Sequence, residues 1–219
     1  MARMLFEKTG NAVWISHLDL MRLFQRAFKR AGLALKHTQG FNPRPSVSIA
    51  LPLSVGVESY CELLDFDLEG EPPGYEEIRR RLNNALTEGI RVLQVCEGGR
   101  KLRDLALLSC KVTLEYDSGV RQGSVEAIRG LFEAASLTVA KKGKNGPVEQ
   151  DIIPMIRELQ VDAEGEYVIA ITAVICCQNP SMNPMQLVGA IERYLPQEKP
   201  DHARYARMEI YDAQGTIFR

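Results

Sequence analysis

The run Gln39-Gly40-Phe41-Asn42-Pro43-Arg44-Pro45 sets an aromatic ring, an amide and a guanidinium within a few positions of one another. Gly40 permits positive φ. Asn42 and Arg44 each precede a proline, which pushes both toward extended backbone. The two prolines also remove two backbone donors, so the run cannot pair fully as a central strand. The expected result is a stiff turn that begins at Gln39 and presents Phe41, Asn42 and Arg44 at low entropic cost. Such a set suits RNA, with a ring to stack on a base, an amide for its edge and a guanidinium for a phosphate. The bland alternative is a structural turn with Phe41 tucked into the core.

A second constellation is a basic ridge. Arg22, Arg26 and Lys29 fall opposite the apolar stripe of a helix that the spacing predicts from Ser16 to about Ala31, with Arg30 at the stripe's edge. At i, i+4 spacing Arg22 and Arg26 can reach successive phosphates. The charge around them is uneven. Residues 1–50 hold eight Lys and Arg against Glu7 and Asp19, whereas residues 51–78 hold eight acids and no base. A solvated helix face, partly neutralised by the acidic segment 58–69, is the competing reading.

His17, in the first turn of that helix, is a weak candidate general base, because a helix N-terminus disfavours imidazolium. The ordinary reading is a residue at the rim of the core. Lys141, Lys142 and Lys144 form a second basic tip around Gly143. They do not make a P-loop, since the G-x-x-x-x-G-K-[ST] pattern is absent.

The elements that must hold these groups read as β-α-β-β-α-β, twice. In the first half, strands are expected at 3–8, 33–38, 46–51, 58–68 and 90–95, with 33–38 and 46–51 separated by the turn. Helices follow Ser16 and run from Tyr75 to about Thr87, with Gly89 as the C-cap signal of the second. In the second half, strands are expected at 110–116, 136–141, 166–176 and 205–211, with a further segment around 151–160. Helices are expected at about 124–135 and from Asn183-Pro184 to Leu195, with Pro at the first helical position. The expected fold class is α+β, a tandem ferredoxin-like architecture of two domains, 1–100 and 101–219.

Composition narrows the function classes. With 27 Lys and Arg against 28 Asp and Glu, the net charge of −1 excludes a strongly basic nucleic-acid coat but not a local patch. No apolar run approaches the ~20 residues of a membrane span, and the start lacks a signal-peptide pattern. The expected setting is cytoplasmic, with no membrane partner. Cys61, Cys96, Cys110, Cys176 and Cys177 are spread without a C-x-x-C pair, so neither a disulfide framework nor a zinc or iron–sulfur site is legible. No metal and no cofactor are expected.

The runs WISHLDLMRLFQRAFKRAGL, HTQGFNPRPSVSIALPLSVGVES and KKGKNGPVEQDIIPMI, in this order, resemble the radical-SAM-linked protein family. This bacterial family is found fused behind a radical-SAM domain or encoded beside one. The resemblance spans essentially the whole chain, less closely in the later half. It implies that Ser16-His17-Leu18-Asp19, Arg22, the Gln39–Pro45 run and Gly56-Val57-Glu58-Ser59 are hallmark positions. It also implies a partner, a separate radical-SAM protein, since this chain lacks cluster cysteines. The family carries no assigned reaction.

The leading expectation is a binding module that is not catalytic by itself. It would recognise tRNA or rRNA and present it to a radical-SAM enzyme. Its contacts would be Arg22, Arg26, Lys29, Gln39, Phe41, Asn42, Arg44, Lys141, Lys142 and Lys144. Two alternatives remain: a metal-independent endoribonuclease resembling CRISPR repeat-processing nucleases, with His17 at its centre, and a protein-binding adaptor.

Overall fold

The computed structural model describes residues 1–143 and 146–219, with the side chains of Lys142 and Pro147 also outside the description. Those residues form two compact units, Met1–Leu102 with Phe218–Arg219, and Arg103–Ile217. The chain is α+β, with antiparallel strand pairing and four α-helices among the described residues.

The first unit contains β1 (Ala2–Lys8), α1 (His17–Arg30), β2 (Val47–Ile49), β3 (Val57–Phe66), α2 (Tyr75–Ala85) and β4 (Ile90–Glu97). Its strands lie in the order β4-β1-β3-β2, each antiparallel to its neighbour. α1 begins where Ser16 Oγ accepts the Asp19 amide. It ends in a Schellman motif: Gly32 at φ +67°, with Gly32 N–H donating to Lys29 O and Leu33 N–H to Phe28 O. Leu20, Phe24, Ala27 and Phe28 are the buried face of the helix, as the 3.6-residue spacing requires. Phe24 meets Phe6 edge-on at 4.8 Å, and Phe28 meets Phe66 at 4.9 Å. These rings pin the helix to the sheet, each contributing about 1.5–3 kcal/mol by burial. The opposite face of α1 is thereby left to solvent.

Two expectations fail here. Residues 33–38 are not a strand of their own. Leu35 faces Leu68 and Val47 faces Phe66, so the partner chain retreats two residues while this one advances twelve. One edge strand is therefore interrupted, and ten residues loop out of it. The loop is closed by a His37–Pro45 bridge and by Ser46 N–H donating to Lys36 O. The prolines explain the interruption, because they cannot donate to the ladder. Gly89 is not the C-cap of α2, which ends at an extended Leu86. Gly89 turns into β4 at φ +82°, where a Cβ would stand 2.4 Å from Thr9 O. Close approach, not helix capping, requires glycine there.

The second unit contains β5 (Leu105–Glu115), α3 (Ser124–Phe132), β6 (Thr138–Gly143), β7 (Gly146–Asp151), β8 (Ile156–Ala163), β9 (Val168–Cys176), α4 (Met185–Tyr194) and β10 (His202–Asp212). Its main strands lie in the order β10-β5-β9-β8, again antiparallel. The segment expected as a main-sheet strand at 136–141 instead pairs with β7 in a hairpin of its own, and β8 takes the expected sheet position. A reversal within a few residues costs less closure entropy than pairing with a distant strand. Pro184 sits just before α4, one position earlier than expected, and Asn183 Oδ1 accepts the Met185 amide at 3.0 Å. Cys110 on β5 and Cys177 just past the end of β9 are buried, and burial pushes both thiols up to about 12. Both belong to the core.

Candidate nucleic-acid interface

The looped-out segment projects from the edge of the first unit. Thr38 N–H donates to Arg44 O at 2.8 Å, and Arg44 N–H returns a bond to Thr38 Oγ1 at 3.0 Å. The backbone under Arg44 is thus fixed on both sides, while its guanidinium has no partner among the described residues. Gly40 adopts φ +135°, open only to glycine. Gln39, Asn42 and Arg44 are exposed, and Phe41 is fully exposed. The ring points into water, so the core placement of Phe41 is excluded.

The ridge on α1 stands as the spacing predicts, with Arg22, Arg26 and Lys29 all exposed. Arg22 is tied to Asp19 at 3.0 Å. The Ser16 hydroxyl first, and then Arg22, hold the Asp19 carboxyl below its ordinary value. Arg26 and Lys29 have no hydrogen bond or ion pair among the described residues. Arg30 is spent differently, donating to Ala85 O at the end of α2.

Acids expected to neutralise the ridge are engaged elsewhere. Asp65 forms a buried bidentate pair with Arg3, Asp67 meets the N-terminal amine and Ser46, and Glu58 accepts the Gly10 amide. Thus two of the eight cations in residues 1–50, Arg3 and Lys8, are buried. The Arg79–Arg81 run is likewise neutralised, by Glu76 and Glu77 on the same helix.

Sequence reasoning missed Trp14. It ends a short 3₁₀ turn, Gly10–Trp14, three residues before α1, and is 69% exposed. The turn is held from beneath. The Lys8 ammonium, 1% exposed, donates to Val13 O at 3.1 Å and Ile15 O at 2.9 Å, the carbonyls on either side of Trp14. Burial lowers the Lys8 pKa, and the nearby Glu62 carboxylate opposes that shift. Gly56 N–H also donates to Val13 O. At φ +83° Gly56 lies so close to the indole that a Cβ would stand 3.3 Å from Cζ3. Leu18, at the head of the ridge, is 67% exposed. The available signal was a solitary Trp beside a helix cap, with the glycine of the GVES run far off in sequence.

The remaining candidates do not join this surface. His17 is half-buried at the first position of α1 and makes no side-chain hydrogen bond among the described residues. Lys141 donates to Ser181 O at 2.7 Å and to its Oγ at 3.0 Å, fastening the β6–β7 hairpin to the loop before α4. Its ammonium is a clip within the second unit, not a free tip. Lys144 lies outside the described residues, as does the Lys142 side chain. No cluster of three His, Cys, Asp or Glu able to hold a metal occurs among the described residues. No helix there is long and apolar enough to cross a membrane.

The fold and surface therefore define an α+β chain whose first unit carries a basic helix face and a projecting aromatic loop. The chain belongs to the family described as uncharacterized protein conserved in bacteria (DUF2344), whose model matches residues 2–184. Comparison with curated proteins gives no match. Among solved structures the chain is similar to an unknown protein from Galdieria sulphuraria. The two are 13% identical over 97% of each chain, with a TM-score of 0.27, too slight a likeness to bear on fold or function.

Proposed function

We propose that this protein is a non-catalytic RNA-binding module that presents tRNA or rRNA to a radical-SAM enzyme. The observation that carries the reading is the excursion from the edge strand. It holds Phe41 wholly in solvent, near a guanidinium whose backbone is clamped and which has no partner among the described residues. A fully exposed aromatic ring on a fixed loop gains nothing for folding, and it suits stacking on an unpaired base. The ridge of Arg22, Arg26 and Lys29 supplies the sequence-independent attraction to phosphates. The radical-SAM partner rests on the resemblance of the WISHLDLMR and QGFNPRP runs. The four-one-three-two strand order in both units supports reading each as ferredoxin-like, the second with a hairpin inserted after its first helix.

The test is binding of bulk tRNA at ~50 and ~200 mM salt by the wild type and by an Arg22/Arg26/Arg44 triple alanine variant. Micromolar, salt-sensitive binding lost in the variant is the expected result. Absence of binding at low salt would reject the reading and make the ridge a protein-docking face.

A further inference from the structure

We infer that Trp14 is a stacking platform for an unpaired base, so that the first unit takes single-stranded RNA or an unpaired loop, not a duplex. The inference rests on the RNA reading above and names its substrate class. Leaving a tryptophan mostly exposed forgoes one of the largest burial gains any residue offers. Here the exposure is enforced by structure. Lys8 bonds the carbonyls on both sides of the residue, Gly56 N–H shares one of them, and Gly56 itself lies against one part of the ring. The backbone that carries the indole is held on both sides, Gly56 lies against one part of the ring, and the residue is 69% exposed. That is how a ring is presented when it must receive a flat partner at low entropic cost.

What lies beyond the ring identifies the partner. Leu18, Arg22, Arg26 and Lys29 follow at steps of four, four and three, one continuous stripe on α1. The Trp14 Cα lies within about 11 Å of the first residue of the helix, three Cα steps away. Arg26 lies about 13.5 Å further along the axis. An exposed aromatic ring thus sits within short chain reach of a line of cations, a span of a few nucleotides. No acid other than Asp19, already tied to Arg22, stands on that stripe. Stacked bases with phosphates along a basic track match this order, whereas a duplex hides the base faces that the indole would meet.

Trp14 is the only tryptophan in the chain, so its emission reports on the platform directly in the unmodified protein. The experiment titrates the full chain with a single-stranded oligoribonucleotide of about 12 nucleotides, its duplex and an abasic strand of equal length, at low salt. Binding is followed both by Trp14 emission and by anisotropy of labelled strands. The single strand should quench the emission saturably, and the abasic strand should bind without quenching. Trp14→Ala should lose about tenfold in affinity for the base-bearing strand and little for the abasic one, with Trp14→Phe within about threefold of wild type.

Salt-sensitive binding with unchanged emission, or a Trp14→Ala variant that binds as well as wild type, would overturn the platform while leaving the ridge reading intact. Failure of every strand to bind at low salt would reject the RNA reading itself. Quenching by polyglutamate but by no RNA would mark a protein interface instead and overturn the inference.

Discussion

The buried ammonium of Lys8 donates to the carbonyl of Ile15 at 2.9 Å, reaching from the end of β1 across the whole Gly10–Trp14 turn. With its second bond to Val13 O, this one side chain serves two carbonyls that the turn's own backbone bonds, Ala12 N–H to Thr9 O and Ile15 N–H to Ala12 O, leave over. Lys8→Met keeps most of the apolar stem but leaves both carbonyls and the Glu62 carboxylate without the cation. It should cost about 2–4 kcal/mol in urea unfolding. The anisotropy of Trp14 emission should fall, because the indole loses its fixed base. An unchanged anisotropy would mean that Gly56 alone positions the ring.

Gly56 is the opposing support. Any side chain there adopts φ +83° and presses a Cβ to 3.3 Å from the indole. Gly56→Ala should lose about 1–2 kcal/mol from the left-handed backbone alone. It should also shift Trp14 emission as the ring moves away. Gly32→Ala, at φ +67° with nothing near its Cβ, carries similar strain without touching Trp14. Comparing the two separates strain from contact: loss of stability in both, with an emission shift only in the first.

The ion pairs of α2 predict a pH dependence. Hydrogen bonds from Arg80 first, then Arg81, hold the Glu77 carboxyl at about 2, below its usual 4.5. A carboxylate whose folded value is depressed contributes stability that is fully present above the unfolded value and lost as pH falls through the folded one. Wild type should therefore exceed Glu77→Gln in urea midpoint by a constant margin above pH 4.5, and the two should converge as pH approaches 2. The margin is small, because these side chains reach solvent. A margin that persists unchanged at the acid end would assign the effect to packing.

How much of this surface was legible depends on whether the signal was local. The basic stripe of α1, its Ser16 cap and its Gly32 stop follow from residue spacing, because a helix fixes which positions share a face. The stiffness of the Gln39–Pro45 run was legible from its prolines. Its place in the sheet was not, since the interruption becomes visible only when Leu35 is seen facing Leu68 and Val47 facing Phe66. The partner of an acid on β3 was hidden for the same reason. Asp65 pairs with Arg3, sixty-two positions away, and no periodicity announces a cross-strand partner. Trp14 was passed over because its exposure is decided by Lys8 and Gly56, one on a strand and the other in a distant loop.

Lys141 offers a contrast between a cation that binds outward and one that fastens the fold. Its two bonds to Ser181 join the β6–β7 hairpin to the segment leading into α4, and Gln150 donates to the same carbonyl. Lys141→Ala should cost about 1 kcal/mol in urea unfolding and leave tRNA affinity and its salt slope unchanged. Arg26→Ala should do the reverse, with stability preserved and the salt slope reduced by about one. A loss of affinity in Lys141→Ala would place the hairpin in the binding surface after all.

The excursion itself can be removed without asking the sheet to re-register. Residues on either side already pair with β3 and its continuation, and His37 already faces Pro45. Replacing residues 38–44 by Asn-Gly leaves a two-residue connection of the kind that closes antiparallel pairs. The shorter loop should leave stability unchanged or raise it by about 1 kcal/mol, because less closure entropy is lost on folding. RNA affinity should drop sharply, since Phe41, Asn42 and Arg44 leave together. Phe41→Ala makes the finer test. The ring is fully exposed, so its loss should not move the melting temperature, while affinity for an unpaired strand should fall about tenfold. A loop-deleted protein that unfolds would show that the excursion supports the edge strand. One that folds and still binds RNA at wild-type strength would remove the loop from the interface and leave the ridge to account for binding alone.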